Sequence, residues 1–329
     1  MKQLMMILMC ALCALSCRRV PLYDAESGVY IKINVYTHAL IDLPDDITKE
    51  LPQKYIDKID GRLPEKMQVN FYDIENHNLV TKAFMGPEGG YVDIAPGVYD
   101  ILIFSIDNDY TRVDKMQSRG SIYAFTSQSG SRYLPMSKGE NGESQPMECA
   151  IIHEPDHLYV ARKESVIIPE HSVVDETVEI YANAATIIDT YILRAINIKN
   201  IQNIKNVEVA FSGQARCKYL WDGRYNQDEA FITVDCYVDI EGGELVTIFN
   251  TFGKQPNSYN YVLLSINQTS TYPGLEFVFD VTDQFDNPDN TNHVIIVSDE
   301  IDVPDSGSGG GELDPEVSDW DEEHKNVDI

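Results

Sequence analysis

The sequence predicts an all-β protein: two tandem antiparallel β-sandwich domains and a disordered acidic C-terminal tail. Three observations predict it. Short segments alternate apolar and polar residues along the body, and that period of two puts successive side chains on opposite faces of a strand. Gly, Pro, Asn and Asp punctuate the segments where turns are needed. One patch alone has helical spacing.

In residues 29–36, Val29, Ile31, Ile33 and Val35 alternate with Tyr30, Lys32, Asn34 and Tyr36, giving one buried and one wet face. The helical patch follows. Ile47, Leu51, Tyr55, Ile56 and Ile59 fall close to one helical face, with Asp45 or Asp46 as cap and Pro52 confined to the first turn. Met67, Val69 and Phe71 alternate with Gln68, Asn70 and Tyr72, and residues 79–84 supply a partner strand across the 75–78 turn. Residues 90–95, Pro96-Gly97 and 98–105 read as a β-hairpin. Pro presets φ and Gly supplies φ > 0, as a type II turn needs. Ile101, Leu102, Ile103 and Phe104 are continuously apolar, the mark of a central strand.

Residues 153–157, with Pro155, are turn-like, and 158–168 are extended. The domain boundary is placed here, giving sandwich domains at 29–165 and 166–303. In the second, residues 177–183 and 186–199 are rich in Ile, Val, Tyr and Thr. Val207, Val209 and Phe211 alternate with polar neighbours, as do Ile232, Val234, Cys236 and Val238. Gly242-Gly243 turns the chain into residues 244–250, and residues 259–267, 275–282 and 293–297 complete the set.

The ends carry different signals. Residues 1–16 read as a lipoprotein signal peptide: Lys2, an apolar run from Leu4 to Leu15, then Ala14-Leu15-Ser16 before Cys17. The run is shorter than the roughly 20 residues that span a bilayer. Cleavage before Cys17 and acylation of its thiol and new amine would anchor the chain, with residues 17–28 as tether. The formal charge of −28 repels polyphosphate and anionic head groups alike. Nucleic acid is thereby excluded as a partner, and membrane contact falls to the lipid. Residues 304–329 read as the disordered tail. Residues 306–311 are Ser and Gly only, and Lys325 is the one cation after Asp299. Trp320, among acidic residues, gives that tail one candidate contact.

Six cysteines fall to four once Cys10 and Cys13 leave with the leader. In an exported protein Cys217 and Cys236 could form a disulfide, and a buried free thiol at Cys236 fits the alternation equally. No Cys/His metal spacing occurs. His153 and His157 lie four apart, but Pro155 between them spoils a shared helical face. The Gly86-Pro87-Glu88-Gly89-Gly90 turn lacks a Lys and a following helix, and no Gly-x-Ser-x-Gly elbow occurs. No catalytic, cofactor or metal site follows, and the chain reads as a non-enzyme. Acidic runs at 283–290 and 107–109 hold oxygens suited to calcium, though such loops usually bond their own backbone. Trp221 and Tyr225, within residues 221–225, are candidate glycan contacts. The alternative is that Trp221 plugs one end of a sandwich.

Residues 17–24, Cys-Arg-Arg-Val-Pro-Leu-Tyr-Asp, resemble the start of a family of uncharacterised Bacteroidales lipoproteins. Val69-Asn70-Phe71-Tyr72-Asp73 and residues 89–100, with Pro96-Gly97-Val98-Tyr99, are similar too. That family looks related to the fimbrillin and fimbrial-anchor proteins of the order. The resemblance implies two transthyretin-like, Greek-key sandwiches carried on a lipid at the outer membrane. It also implies partner subunits joined by strand exchange. Polymerising fimbrillins lose an N-terminal strand at an arginine. Here Arg18 and Arg19 lie beside the lipid and Arg62 follows a single clear strand, so an anchor or adhesion role fits better than a shaft role. Arginines rather than acidic residues follow Cys17, which leaves the membrane face open. The second reading is a glycan-binding lipoprotein of a nutrient-uptake system.

Overall fold

The computed structural model describes residues 28–37, 51–59, 61–133, 148–170, 178–268 and 274–304. Cys17, the leader before it, Asp45, Asp46, Ile47 and the tail from 305 onward lie outside them. In chain order the strands of the first half are β1 (Gly28–Tyr36), β2 (Met67–Asp73), β3 (Leu79–Met85), β4 (Gly89–Asp93), β5 (Gly97–Ser105), β6 (Arg112–Asp114), β7 (Tyr123–Phe125), β8 (Gln128–Tyr133), β9 (Glu148–Ile152), β10 (Tyr159–Ile168) and β11 (Val178–Thr186). Then follow β12 (Asp189–Ala195), β13 (Ile198–Lys199), β14 (Asn206–Ala215), β15 (Cys217–Tyr219), β16 (Glu229–Asp239), β17 (Glu244–Thr251), β18 (Tyr261–Asn267), β19 (Leu275–Asp280), β20 (Val294–Val297) and β21 (Ile301–Asp302). Two short helices join them, α1 (Gln53–Ile56) and α2 (Thr282–Asp286). The all-β expectation holds.

Seven strands form the first sheet in the order β3-β2-β5-β10-β11-β1-β4. The sheet rolls until its end strands meet, with a Gly86–Gly89 bridge closing the seam. Gly89 has φ +107 and an added Cβ would lie 1.8 Å from the Ile31 carbonyl oxygen, so the seam requires glycine there. The alternating residues of β1, β2 and β5 (Val29, Ile31, Ile33, Met67, Val69, Phe71, Ile101, Ile103) fill the interior. β2 and β3 form the expected hairpin, turned by Asp73 Oδ1, which accepts from the Glu75 and Asn76 amides. The expected hairpin and type II turn across Pro96-Gly97 do not form: the chain bends at Pro96, and Gly97 opens β5 without a positive φ. β4 pairs with β1, whereas β5 lies between β2 and β10, so this turn carries the chain across the rolled sheet. A turn signal marks a change of direction and leaves the partner to long-range packing.

The second sheet runs β19-β18-β14-β16-β17-β12-β20, with β9 added to β16 and β8 to β9. β16 serves two layers. Ala230–Ile232 pair with β9, and Tyr237–Asp239 pair with β17. Between the layers Phe211 and Phe249 stack at 3.7 Å amid Val209, Ile232, Leu264 and Ile295. Pairing is mixed rather than wholly antiparallel: β1–β11, β9–β16, β12–β20 and β13–β21 are parallel.

Residues 165 and 166, where the sequence places the domain boundary, are both inside β10, and β11 joins the same first sheet. The chain crosses between sheets at Ile187 and Ile188, beyond β11. β8 and β9, from the first half, belong to the second sheet. A third layer binds the two. β15 pairs with β7, and β7 with β6. Tyr72, Leu102, Phe104 and Val160 from the outer face of the first sheet pack against Ile122, Ala124, Leu220 and Phe252. Among the described residues of the helical patch Gln53–Ile56 form α1, with Pro52 rather than Asp45 or Asp46 as its N-cap residue. Leu51, Tyr55 and Ile59 pack on Ile192, Val246 and Ile248 of β12 and β17, so a loop of the first unit clamps the second.

Candidate functional site

Side chains first show what the molecule does not offer. A cleft of about 630 Å3 lies where the two units meet, lined by Lys58, Arg62, Asp107, Tyr110, His153 and Glu154 among others. Its charged groups hold the loops in place. Lys58 Nζ donates to Glu154 Oε2 at 2.7 Å and to the Ile248 carbonyl at 2.9 Å. Glu154 Oε1 accepts from the Asn250 amide at 2.6 Å. Burial raises the Glu154 carboxyl above its ordinary range, against the pull of Lys58. Asp156 Oδ2 accepts from the Tyr110 and Thr111 amides, and Asp107 Oδ2 from that of Glu65. His153 stacks on Tyr110, while His157 contacts the Lys58 carbonyl and Thr186 Oγ1. Among the described residues no group of three or more His, Cys, Asp or Glu converges as a metal site. In the 283–290 run, Asn287 Oδ1 accepts from the Asp289 amide, and Lys254 pairs with Asp286. No helix among the described residues is long and apolar enough to cross a membrane.

Cys149, Cys217 and Cys236 are all free and buried. The disulfide alternative is therefore absent. Cys236 lies on β16 in the core of the second sheet, whereas Cys217 starts β15 in the third layer. Burial pushes the Cys149 thiol up to about 11 and raises the other two as well.

Trp221 and Tyr225 come together against the inter-sheet core, beside Leu220 and Phe252. The Arg119 guanidinium covers the Trp221 ring at 4.4 Å, and Lys218 lies over Tyr225 at 5.4 Å. Arg119 also pairs with Asp100, whose Oδ1 accepts from the Ser165 amide in the β10 bulge. Both rings thus have packing partners. A second aromatic group was missed by local reading because it spans three strands. On the outer face of the first sheet, Tyr30 lies opposite Tyr91 on β4, and Lys32 opposite Tyr181 on β11. Asn34 Nδ2 donates to Asn183 Oδ1 at 3.3 Å beside them. Tyr36, Tyr91 and Tyr181 are each more than half exposed. Glu179 is held by Lys32 at 2.7 Å and by the Tyr181 hydroxyl at 2.6 Å. Rigid tyrosines interleaved with amides can present ring faces and hydrogen bonds together.

The second sheet has three strands paired on one side only, β8, β19 and β20. Among the described residues β19 pairs with β18 alone. The Lys205 amide donates to the Asn267 carbonyl and the Val281 amide to that of Asn260. Odd residues of β18 therefore face β14 and even ones face β19. Alternation then leaves the backbone groups of Glu276, Val278 and Asp280 directed outward. Behind this edge Leu275, Phe277 and Phe279 are half-buried against the sandwich core.

The fold is similar to that of a candidate adhesin from Bacteroides ovatus, with a TM-score of 0.58 and 18% identity over 86% of this chain and 94% of that one. At that identity the likeness is one of fold. Lower similarity links it to a candidate polysaccharide-binding protein from Bacteroides thetaiotaomicron (TM-score 0.46, 11% identity, 78% and 80% covered). The fimbrial anchor protein Mfa2 from Porphyromonas gingivalis is similar at TM-score 0.43 and 14% identity, with 82% and 88% covered. No curated protein matches. Residues 56–235, more than half of the 329, match the domain of unknown function DUF5119, and the chain belongs to that family.

Proposed function

We propose that this protein is a non-enzymatic, lipid-anchored module of the bacterial cell envelope, serving adhesion or fimbrial anchoring through a partner strand added at β19. The observation that carries the reading is the outward backbone of Glu276, Val278 and Asp280, with Phe277 and Phe279 half-buried behind it. An added strand would pair those groups and cover both rings. Acyl chains on Cys17 would hold the chain at the outer membrane, since several buried chains bind where one is marginal. The adhesin description of the Bacteroides ovatus relative and the fimbrillin resemblance of residues 69–73 and 89–100 agree with this role.

The test is Val278→Pro. Proline removes an outward donor while sparing the β18 ladder, and edge strands tolerate it. Subunits recovered with the chain in mild detergent should be lost from the variant while its circular dichroism is unchanged. Equal recovery with the variant would refute the β19 assignment. A free thiol at Cys17 in the mass spectrum would refute the anchor.

The tyrosine face favours a second reading, glycan binding. Binding on a glycan array should then fall in Tyr36→Ala/Tyr181→Ala and persist in Val278→Pro. Loss in Trp221→Ala instead would assign the contact to Trp221 and Tyr225.

A further inference from the structure

The outer edge of β20 is fully occupied, and by side chains. The Ile192 and Ile196 amides donate to the His293 and Val297 carbonyls, so residues 293, 295 and 297 face β12. Val294 and Ile296 therefore direct their backbone groups outward. All four of those groups are met. Asn290 Oδ1 accepts from the Val294 amide at 3.0 Å, and Asn290 Nδ2 donates to the Val294 carbonyl at 3.0 Å. Gln284 Oε1 accepts from the Ile296 amide at 2.7 Å, and Gln284 Nε2 donates to the Ile296 carbonyl at 2.8 Å. Each amide side chain turns one N–H and its carbonyl oxygen to the edge, in the spacing of a peptide unit. Together they make the contacts that a neighbouring strand residue would make.

The two residues are held in position. Asn290 Nδ2 also donates to the Gln284 carbonyl at 3.2 Å, which ties one to the other. Phe285 packs its ring 4.8 Å from Tyr191, and His293 stacks on the same ring at 4.6 Å. Lys254 pairs with Asp286 at the end of α2. The edge they cover is hazardous. Val294-Ile295-Ile296-Val297 is wholly β-branched and uncharged, and Ile296 is exposed. Such an edge templates pairing with another chain unless it is blocked.

We propose that Gln284 and Asn290 are an edge guard, and that the occupant they exclude is a second copy of this chain at β20. Two β20 strands pairing antiparallel about a two-fold axis at Ile295 would set Val294 opposite Ile296 of the other copy. That arrangement forms four hydrogen bonds between the copies and so meets all four outward groups of each chain, as the two amides do now. The guard closes β20 and does not touch β19, so the inference stands without strand addition at β19.

The full chain in mild detergent tests it by sedimentation and amide exchange. Wild type should sediment as a monomer, and Gln284→Ala/Asn290→Ala as a dimer. Adding Ile296→Pro, which removes an outward donor alone, should return the double variant to monomer. A monomeric double variant, or a dimer that survives Ile296→Pro, overturns the proposal, as does a wild-type dimer broken by Ile296→Pro. If the double variant does not fold, Gln284→Ala alone should speed exchange of the Ile296 amide by about tenfold, and unchanged exchange overturns it. Loss of subunit recovery in Val278→Pro bears on β19 alone, so the two readings fail separately.

Discussion

Lys58 and Glu154 form a half-buried ion pair, 2.7 Å between Nζ and Oε2, that ties three segments together. Lys58 ends the α1 loop, Glu154 lies in the connector before β10, and both bond the backbone of β17. Removing one member strands the other without its partner, so Lys58→Met should cost about 2 kcal/mol in chemical denaturation, between the exposed and fully buried cases. A cost below about 1 kcal/mol would mean that water or relaxation replaces the lysine.

Glu154 also makes stability depend on pH. Its folded carboxyl titrates above its unfolded value, so between the two values the folded state binds the extra proton. Stability therefore falls as pH rises through that window, by at most about 1.4 kcal/mol per pH unit. Relative to Glu154→Gln, wild type should gain stability on acidification from neutral pH. The opposite trend would place the carboxylate in a hydrated site.

The layer between the sheets should make the described body unfold as one unit. Phe252 is fully buried there against Leu102, Phe104 and Leu220. Calorimetry should record a single transition, and Phe252→Ala should lower stability by about 3–5 kcal/mol. Two resolved transitions in wild type would show that the layer does not couple the sheets.

The thiols of Cys149, Cys217 and Cys236 should resist iodoacetamide at pH 8 in the folded protein. All three are buried, with Cys149 pushed up to about 11. In denaturant without reductant all three should be alkylated. A pair that needs reductant would establish the disulfide that the fold separates.

Two glycines separate crowding from backbone strain. Gly213 has φ +69 at the β14 bulge, and an added Cβ would lie 2.5 Å from the Tyr259 carbonyl oxygen. Gly223 has φ +73 in open space. Gly223→Ala should cost about 1 kcal/mol, the left-handed penalty alone, and Gly213→Ala clearly more. Equal costs would mean that the bulge yields to the methyl group.

Much of the local structure was legible. The alternation in residues 29–36, 67–72 and 232–239 is each a strand's own property, and so is the helical spacing of Leu51, Tyr55 and Ile59. Pro96-Gly97 was read as a type II turn within a hairpin, whereas Gly97 opens β5 without a positive φ and β4 does not pair with β5. The tyrosine face escaped because Tyr30, Tyr91 and Tyr181 sit on strands that meet only in the rolled sheet.

By itself the sequence determined the main strands, the apolar face that each one buries, and an acidic chain whose charge is concentrated at the C-terminus. Those properties depend on neighbours two to four residues away. The tertiary structure alone decided which strands pair, that β10 and β11 form the middle of the first sheet, and which edges are left facing outward. Pairing partners are chosen by burial summed over distant segments. Val294 and Val278 look alike as strand residues, and only the fold brings amide side chains to one edge while leaving the other exposed.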